Sequence, residues 1–303
     1  LTLGWSDGAT YMPVNSCLFS SENANTRINE AVEKKAGSTA FKARELAQKK
    51  ATEVVPELIK EAQKAGISAQ YVLFDSWFSS PKEIRSIKEL GLDVVAMVKK
   101  SSKIHYLHNG QKKSVKDIFA QSKKRAGRSC YLLSTTVELP SDEGNLPAKL
   151  VFVRNRSKRN DYLVLISTDT SLSENEIIQL YGKRWDIEVF FKISKSLLRL
   201  TKECRSLSYD AMCAHIAIVF MRYMFLAVSI REEQDVRTAG PMFCLVADEL
   251  ADISYAEAME KLQLFLAKLV EGFVASREEI SAFVTDFIAA LPKEFEGYML
   301  LEA

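Results

Sequence analysis

A strand–helix–strand pattern within the first hundred residues constrains the fold more than any other feature of this sequence. Residues 71–74 and 92–98 are short, continuously apolar runs, which are typical of strands buried on both faces of a sheet. Residues 81–90 lie between them with a helical pattern, and Pro81 suits the first turn of a helix. This order predicts an α/β fold, in which functional side chains collect at the carboxyl ends of strands.

The segments on either side of this unit extend the α/β interpretation. An Asp-Gly turn between the apolar runs 1–5 and 10–19 predicts a β-hairpin. Residues 38–65 have a helical pattern, and we expect Pro56 to kink or split that helix. Residues 99–170 contain short alternating runs separated by turns, which indicate a β-rich insertion.

The last third of the chain is predicted to be helical. Ser173 and Glu176 have the spacing of a capping box, and they open a helix that we expect to reach about residue 200. Residues 209–303 follow as helices throughout. The run 211–230 is apolar enough to suggest a membrane span, but it contains Arg222, and an arginine at mid-membrane costs about 2.5–3.5 kcal/mol. We therefore expect a buried helix and no membrane contact.

The charge of the chain is unevenly distributed. The net charge is only +2, but residues 99–205 contain 22 basic and 11 acidic side chains, and residues 206–303 contain 7 basic and 16 acidic ones. Recurrent basic clusters favour a polyanion partner, because neutralising phosphates releases counterions. A solvated surface explains any single cluster equally well. The acidic tail is either a plain helical surface or a shield for the basic region.

Cysteine and glycine usage excludes several classes of site. The five cysteines are scattered without a Cys-x-x-Cys pair, which excludes a zinc ribbon and a disulfide scaffold and fits a reducing cytoplasm. The 12 glycines form neither a dinucleotide-binding nor a Walker pattern, so nucleotide hydrolysis is not expected. The chemistry must therefore come from other side chains.

Two acidic residues stand out, one after a strand and one on a helix. Asp75 directly follows the run 71–74, where an aspartate is either functional or the cap of the next helix. At about 100° per residue, one helical face of the segment after Ser173 presents a mixed polar stripe. Its members are Tyr181, Arg184, Glu188, Lys192 and Lys195. Spacing alone leaves open whether Arg184 and Glu188 form an ordinary surface ion pair or part of a phosphate-binding stripe.

The stripe resembles a known signature. The pattern Tyr-x2-Arg-x3-Glu-x6-Lys of bacterial insertion-sequence transposases of the IS-four group matches at Tyr181, Arg184, Glu188 and Lys195. Asp75, followed by Ser-Trp-Phe, is similar to the second catalytic aspartate of that group. The hairpin over residues 1–8 and the β-rich insertion are similar as well.

This resemblance implies an α/β fold with an RNase H-like mixed-sheet core. Residues 1–98 would form the first part of the core, starting at its second strand, and residues 99–170 the β-rich insertion. Residues 171–205 would contain the core helix with the catalytic glutamate, and residues 206–303 an all-helical C-terminal region.

The resemblance also implies a chemistry, namely metal-dependent DNA strand cleavage and strand transfer. Asp75 and Glu188 would be catalytic and would bind Mg²⁺ or Mn²⁺, which prefer hard oxygen ligands. The implied DNA contacts come from Tyr181, Arg184, Lys192, Lys195 and Trp77. Trp77 would stack on an extruded base, although core packing is the preferred interpretation for it and for Trp185. The expected partner is double-stranded DNA, at transposon ends and target, bound by a homodimer in the bacterial cytoplasm or nucleoid.

The start of the sequence suggests an incomplete set of carboxylates. In such a core the first aspartate belongs to the first strand, which the resemblance places upstream of Leu1. Asp7 is the only early candidate, but it lies in the hairpin turn, where aspartate is common. We therefore expect an N-terminally truncated chain that does not transpose DNA by itself. The alternatives are a catalytically dead DNA-binding or dimerising remnant and a domesticated RNase H-like nuclease.

Overall fold

A mixed seven-stranded sheet forms the centre of the described structure. The computed structural model describes residues 1–27, 36–126, 129–141, 144–155, 158 and 161–232. Among these residues the strand order is β3-β4-β9-β8-β7-β5-β6. The strands are β3 (Tyr71–Phe74), β4 (Asp93–Met97), β5 (Tyr106–His108), β6 (Gln111–Lys113), β7 (Tyr131–Leu139), β8 (Leu146–Arg154) and β9 (Tyr162–Ser167). β3 and β4 are parallel, whereas the other pairs are antiparallel.

The β-rich segment continues the sheet of the first strands. Its strands β7, β8 and β9 coincide with the predicted alternating runs. β9 pairs with β4 through Val95 and Ser167, so the insertion is hydrogen bonded directly to the core. The fold class is therefore α/β with a mixed sheet, consistent with an RNase H-like core followed by helices.

The predicted N-terminal hairpin is present as a separate two-stranded sheet of β1 (Thr2–Ser6) and β2 (Tyr11–Ser16). In its turn, Asp7 Oδ1 accepts hydrogen bonds from the backbone N–H groups of Ala9, at 2.9 Å, and Thr10, at 2.7 Å. Gly8 has φ +94°, a conformation that side chains disfavour. The Asp-Gly signal in the sequence thus identified the turn correctly.

The helix after the hairpin divides at a different place from the predicted one. α1 (Thr39–Ala47) and α2 (Ala51–Lys64) are separated at residues 48–50, and Pro56 lies inside α2. Pro56 removes one backbone donor, but Val54 and Leu58 are buried on either side of it and hold the helix in place. Packing therefore outweighs the local cost of the proline.

Two short helices flank β4 in sequence. α3 (Pro81–Lys88) confirms the predicted helix and has Pro81 in its first turn. α4 (Val115–Gln121) was not predicted, although Ser114 and Asp117 form a full capping box at its start. At seven residues, α4 is too short to give a clear periodic signal.

The helix expected from Ser173 to about residue 200 is interrupted. The capping box of Ser173 and Glu176 is confirmed at the start of α5 (Glu174–Lys183), but α6 (Trp185–Ser196) is a separate helix. At the junction, the N–H of Arg184 donates to the carbonyl of Tyr181 at 3.1 Å. This three-residue bond tightens the chain locally, so the predicted stripe passes through a break.

α7 (Tyr209–Glu232) is the part of the predicted helical tail that the structure describes; residues 233–303 lie outside it. By length and composition α7 could cross a membrane, with a mean hydropathy of 1.8 over a window that is 22% buried. Val219 and Phe220 are buried, whereas Ile218 and Phe225 are exposed within the described residues. The prediction of a buried helix therefore holds for one face only.

The hydrophobic core lies on both faces of the sheet. On one face, Val94 and Ile166 pack in a cluster with residues of α3 and α4. On the other face, their sequence neighbours Val95 and Leu165 pack with Ile177 of α5. Both faces of β4 and β9 are thus covered, which explains why these strands are continuously apolar.

Candidate active site

Asp75 lies in the loop that leaves the carboxyl end of β3, and its side chain is exposed. Its Oδ1 atom accepts a hydrogen bond from the backbone N–H of Trp77 at 2.8 Å. The cap of the following helix α3 is Ser80, whose Oγ accepts from the N–H of Glu83. Asp75 is therefore not the helix cap that the alternative interpretation required.

Trp77 is 67% exposed beside Asp75, so the expectation that it packs in the core is wrong. Phe78 takes the inward position instead, with its ring 6.4 Å from that of Phe74. The Nζ atom of Lys99 lies 4.5 Å from the centre of the Trp77 ring, which is cation–π geometry. Trp185 is also exposed, at 60%, which contradicts its predicted place in the core.

Lys99 is a candidate site residue that the sequence interpretation counted only as part of a basic cluster. It follows β4, and Asp75 follows the parallel neighbour β3. The carboxyl ends of parallel strands meet at one edge of a sheet, and that rule was a signal that could have placed Lys99 next to the aspartate loop.

Arg184 and Glu188 form an ion pair, with 2.6 Å between Nη2 and Oε1. The guanidinium carbon of Arg184 lies 5.7 Å from the centre of the Tyr181 ring. Nε of Arg184 is buried and has no hydrogen-bond partner among the described residues. A partly desolvated cation with an unused donor favours an additional anion at this position.

The negative charges of Asp75 and Glu188 both affect the pKa of Tyr181. Burial raises the pKa of Tyr181, the Arg184 guanidinium opposes the rise, and the negative charges of Asp75 and Glu188 add to it. Both carboxylates therefore lie within electrostatic range of Tyr181, although they belong to a loop after a strand and to a helix.

The two lysines of the stripe extend along α6. Lys192 and Lys195 are exposed, and Nζ of Lys195 lies 5.5 Å from the centre of the Phe191 ring. Phe190 is fully buried and anchors α6 through ring contacts with Tyr11 and other aromatic residues. Val189 of the same helix is 41% exposed, so the apolar residues of α6 are only partly buried.

Comparison with protein families assigns the chain. A family model described as a transposase DDE domain matches residues 33–225, which include Asp75 and the whole stripe from Tyr181 to Lys195. The chain belongs to the transposase DDE domain family. A search of curated proteins finds no match. A divalent metal requirement and DNA binding go with this family in general.

For a transposase DDE domain, the side chains available as metal ligands decide whether a divalent ion fits. Asp75 and Glu188 supply hard carboxylate oxygens, the ligands that Mg²⁺ and Mn²⁺ prefer. In the part of the chain that the structure describes, no group of three His, Cys, Asp or Glu side chains is placed to hold a metal ion. The two carboxylates are of the chemical type that binds a divalent ion, but the described residues place no third acidic ligand beside them.

Asp7 makes contacts of its own in the hairpin turn and with α7. Besides the two turn hydrogen bonds, its Oδ2 lies 2.6 Å from Nη1 of Arg231 in α7. The hydrogen bonds from Thr10, Arg231 and Ala9 lower the pKa of Asp7. Its carboxylate is therefore fully used in closing the hairpin turn and pairing with α7.

Proposed function

We propose that this transposase DDE domain is a member of the IS-four group and supplies two of the three carboxylates that metal-dependent DNA strand cleavage and strand transfer require in that group. The observation that carries the proposal is that the Asp75 and Glu188 carboxylates both lie within electrostatic range of the half-buried Tyr181, next to Arg184. In this proposal both carboxylates are catalytic and bind Mg²⁺ or Mn²⁺. The bound ions would supply charge stabilisation for an in-line displacement at phosphorus.

The residues around the two carboxylates would orient them. The N–H of Trp77 holds one oxygen of Asp75 and leaves the other oxygen of this exposed side chain for a ligand. Arg184 holds Oε1 of Glu188 in the same way. Because both acidic groups are already positioned before any ligand arrives, little reorganisation is needed to bind a cation.

The remaining stripe residues would bind the DNA backbone. Arg184 would pair with a phosphate through its unused donor, and Tyr181 would donate a hydrogen bond to one, which its raised pKa favours because the hydroxyl stays protonated. Lys192 and Lys195 would add charge farther along α6. Trp77, exposed and backed by Lys99, would stack on an unpaired base.

The acidic ligand set would be completed from outside the described residues. Two described carboxylates are one fewer than the three of the Asp, Asp, Glu set implied by the resemblance. We therefore expect the chain itself to bind DNA and a divalent ion but not to carry out strand transfer. Its partners would be transposon ends and target DNA, bound by a homodimer in the cytoplasm and on the nucleoid.

Metal binding tests this proposal most directly. Mn²⁺ affinity is measured by electron paramagnetic resonance for the chain and for the variants Asp75→Asn and Glu188→Gln. Each variant should lower the affinity by about tenfold or more, because each removes a charged oxygen ligand. Glu203→Gln is the matched control, since Glu203 is also an exposed acidic residue that pairs with an arginine.

Two results would contradict the proposal. Equal Mn²⁺ affinity in the chain and in both site variants would remove Asp75 and Glu188 from the metal site. Strand transfer by the chain alone, measured with a labelled DNA end and a plasmid target, would show that its carboxylate set is complete.

A catalytically dead DNA-binding or dimerising remnant is the second candidate function. It is favoured by the absence of a three-carboxylate group among the described residues. A remnant would bind DNA with the same affinity with and without Mn²⁺, and Glu188→Gln would not change that affinity. A domesticated RNase H-like nuclease would instead cleave DNA in the presence of Mn²⁺ without joining strands.

A further inference from the structure

The ends of five neighbouring strands lie in a row on the side of the sheet where Asp75 is placed. β3 and β4 end there, and β9 begins there because it is antiparallel to β4. β8 ends there and β7 begins there, since each is antiparallel to its neighbour in the row. The pairs of Arg154 with Tyr162 and of Tyr131 with Val153 fix the register at this side. The row therefore runs from the candidate active site to the start of β7.

Six basic residues follow this row of strand ends. Lys99 and Lys100 come shortly after β4, and Arg154 is the last residue of β8. Lys158 lies between β8 and β9, where its carbonyl accepts a hydrogen bond from the N–H of Asp161. We call the six residues the basic rim, which consists of Lys99, Lys100, Lys124, Arg125, Arg154 and Lys158. All except Lys100 are exposed, so their charges can reach a ligand in solvent.

Lys124 and Arg125 reach the row through α4. The ring of Phe119 in α4 stacks on the ring of Tyr162 at the start of β9, with 4.0 Å between the ring centres. The N–H of Arg125 donates to the carbonyl of Leu132 at 2.7 Å, next to the start of β7. The segment after α4 is therefore bound to the same strand ends as the other rim residues.

Aromatic rings restrain four of the six rim cations. The cation lies 4.5–4.8 Å from the ring centre in the pairs Lys99–Trp77, Lys100–Tyr162, Lys124–Phe119 and Arg125–Tyr131. An aromatic ring holds a cation without cancelling its charge, whereas a carboxylate neutralises the cation that it holds. Lys100 also pairs with Asp161, and Arg125 lies within electrostatic range of Glu174 in α5.

Most of the rim charge remains uncompensated. Within the described residues, Lys99, Lys124 and Lys158 form no ion pair. A solvated surface explains one run of lysines, but it does not explain why cations from separate parts of the chain line up beside the candidate active site. Positive charges arranged in a row favour an extended polyanion, because neutralising its phosphates releases counterions.

The length of the row indicates how much DNA it can contact. Neighbouring strands are about 4.8 Å apart, so the row from β3 to β7 spans roughly 19 Å over its four strand spacings. Successive phosphates of one DNA strand rise by about 3.4 Å along the duplex axis, so this length corresponds to about six base pairs.

We propose that the basic rim binds the phosphate backbone of about six base pairs of duplex DNA that extend from the candidate active site across the β-rich segment. The rim would act on the same DNA as the two carboxylates, so this proposal rests on the proposed function. The rim would guide double-stranded DNA, whereas Trp77 at its end would contact an unpaired base. The stripe on α5 and α6 would contact phosphates close to the cleaved bond.

The salt dependence of duplex binding tests the rim on the full chain. The probe is a fluorescein-labelled DNA duplex longer than two helical turns, followed by fluorescence anisotropy. Combining Lys124→Ala with Lys158→Ala should reduce the slope of log Kobs against log salt by about 2, since each lost phosphate contact contributes about 0.9.

The matched control combines Lys112→Ala with Lys116→Ala. Both lysines are exposed and belong to the same β-rich segment, but they lie in or next to β6, by the other end of β7. This pair removes the same charge and should leave the slope unchanged. Lys124→Arg with Lys158→Arg keeps both rim charges and should retain the slope of the unchanged chain.

The contrary results separate this proposal from the proposed function. Equal slopes for the rim pair and the control pair would overturn the proposal alone, because Mn²⁺ binding by Asp75 and Glu188 is measured independently. A slope that falls equally in the arginine variant would overturn a role of charge at the rim. No binding of duplex DNA by the unchanged chain would overturn both the rim and the DNA partner of the proposed function.

Discussion

The interior of the large sheet and its β3 edge differ in how completely their backbone is paired. β9 bonds to β4 on one side and to β8 on the other, and its inward residues Val164 and Ile166 are almost fully buried. Among the described strands β3 has a single partner; it is only partly buried over most of its length and leads into the exposed loop of Asp75 and Trp77.

The interior of the sheet therefore contributes mainly to stability, whereas the edge presents the candidate functional side chains. The interior strands bury apolar area on both faces, which is the main favourable contribution to folding. The candidate catalytic and DNA-binding groups lie instead where a strand ends and where the α5–α6 junction exposes polar side chains. Substitutions in the two regions should therefore affect different measurements, and the following predictions test that separation.

The largest effect is expected in the interior. Ile166→Ala should lower the free energy of unfolding by about 2–5 kcal/mol, because Ile166 is fully buried in β9 and the change leaves a cavity. Leu163→Ala, on the same strand but 37% exposed, should cost less than half as much. Denaturant unfolding measures both, and equal losses would contradict the distinction between the paired interior and its surface.

At the β3 edge the expected effect is on binding. Trp77→Ala should weaken binding of a single-stranded oligonucleotide by about 1–3 kcal/mol, or roughly 5- to 150-fold in Kd, because one stacking platform is lost. The unfolding free energy should hardly change, since the ring is 67% exposed. Trp185→Ala is the control, because Trp185 is similarly exposed, and an equal loss there would refute a specific role for Trp77.

A smaller effect is expected from a single lysine of the stripe. Lys192→Ala should reduce the slope of log Kobs against log salt for duplex DNA by about 1, since one phosphate contact disappears. Lys64→Ala, at the end of α2, removes the same charge outside the stripe and should leave the slope unchanged. Fluorescence anisotropy at several salt concentrations measures the slopes. Identical slopes for both variants would contradict a role of the stripe in binding DNA.

The smallest effect is a pH dependence at the start of β9. The hydrogen bond from Lys100, together with the N–H of Tyr162, lowers the pKa of Asp161 from its ordinary value of 3.8 to about 2. This contribution is present above pH 3.8 and is lost as the pH falls toward 2. Asp161→Asn should therefore reduce the loss of melting temperature as the pH falls from 3.8 toward 2. An unchanged loss would show that the pair of Asp161 and Lys100 contributes nothing to stability.

Several elements were predictable because their signals are local. The hairpin turn at Asp7 and Gly8, the capping box of Ser173 and the proline start of α3 each depend on neighbouring residues only. That Asp75 belongs to one site with the stripe of α5 and α6 was predicted through the resemblance and not through spacing. The roles of these residues in metal and DNA binding remain predictions.

Three features were placed incorrectly from the sequence. Pro56 was expected to break its helix, but the burial of Val54 and Leu58 keeps α2 intact. Core packing was preferred over base stacking for Trp77, but its side chain is exposed and Phe78 takes the inward position. The break at Arg184 has no proline or glycine signal of its own.

By itself, the sequence determined the α/β order of elements, the basic middle of the chain and the spacing of the stripe, because periodicity, charge and turn chemistry are properties of adjacent residues. Only the tertiary structure decided that the β-rich segment extends the core sheet and that Asp75 and Glu188 act on one phenol. Strand pairing joins residues far apart in the chain, and no local pattern specifies which edges meet and which stay open.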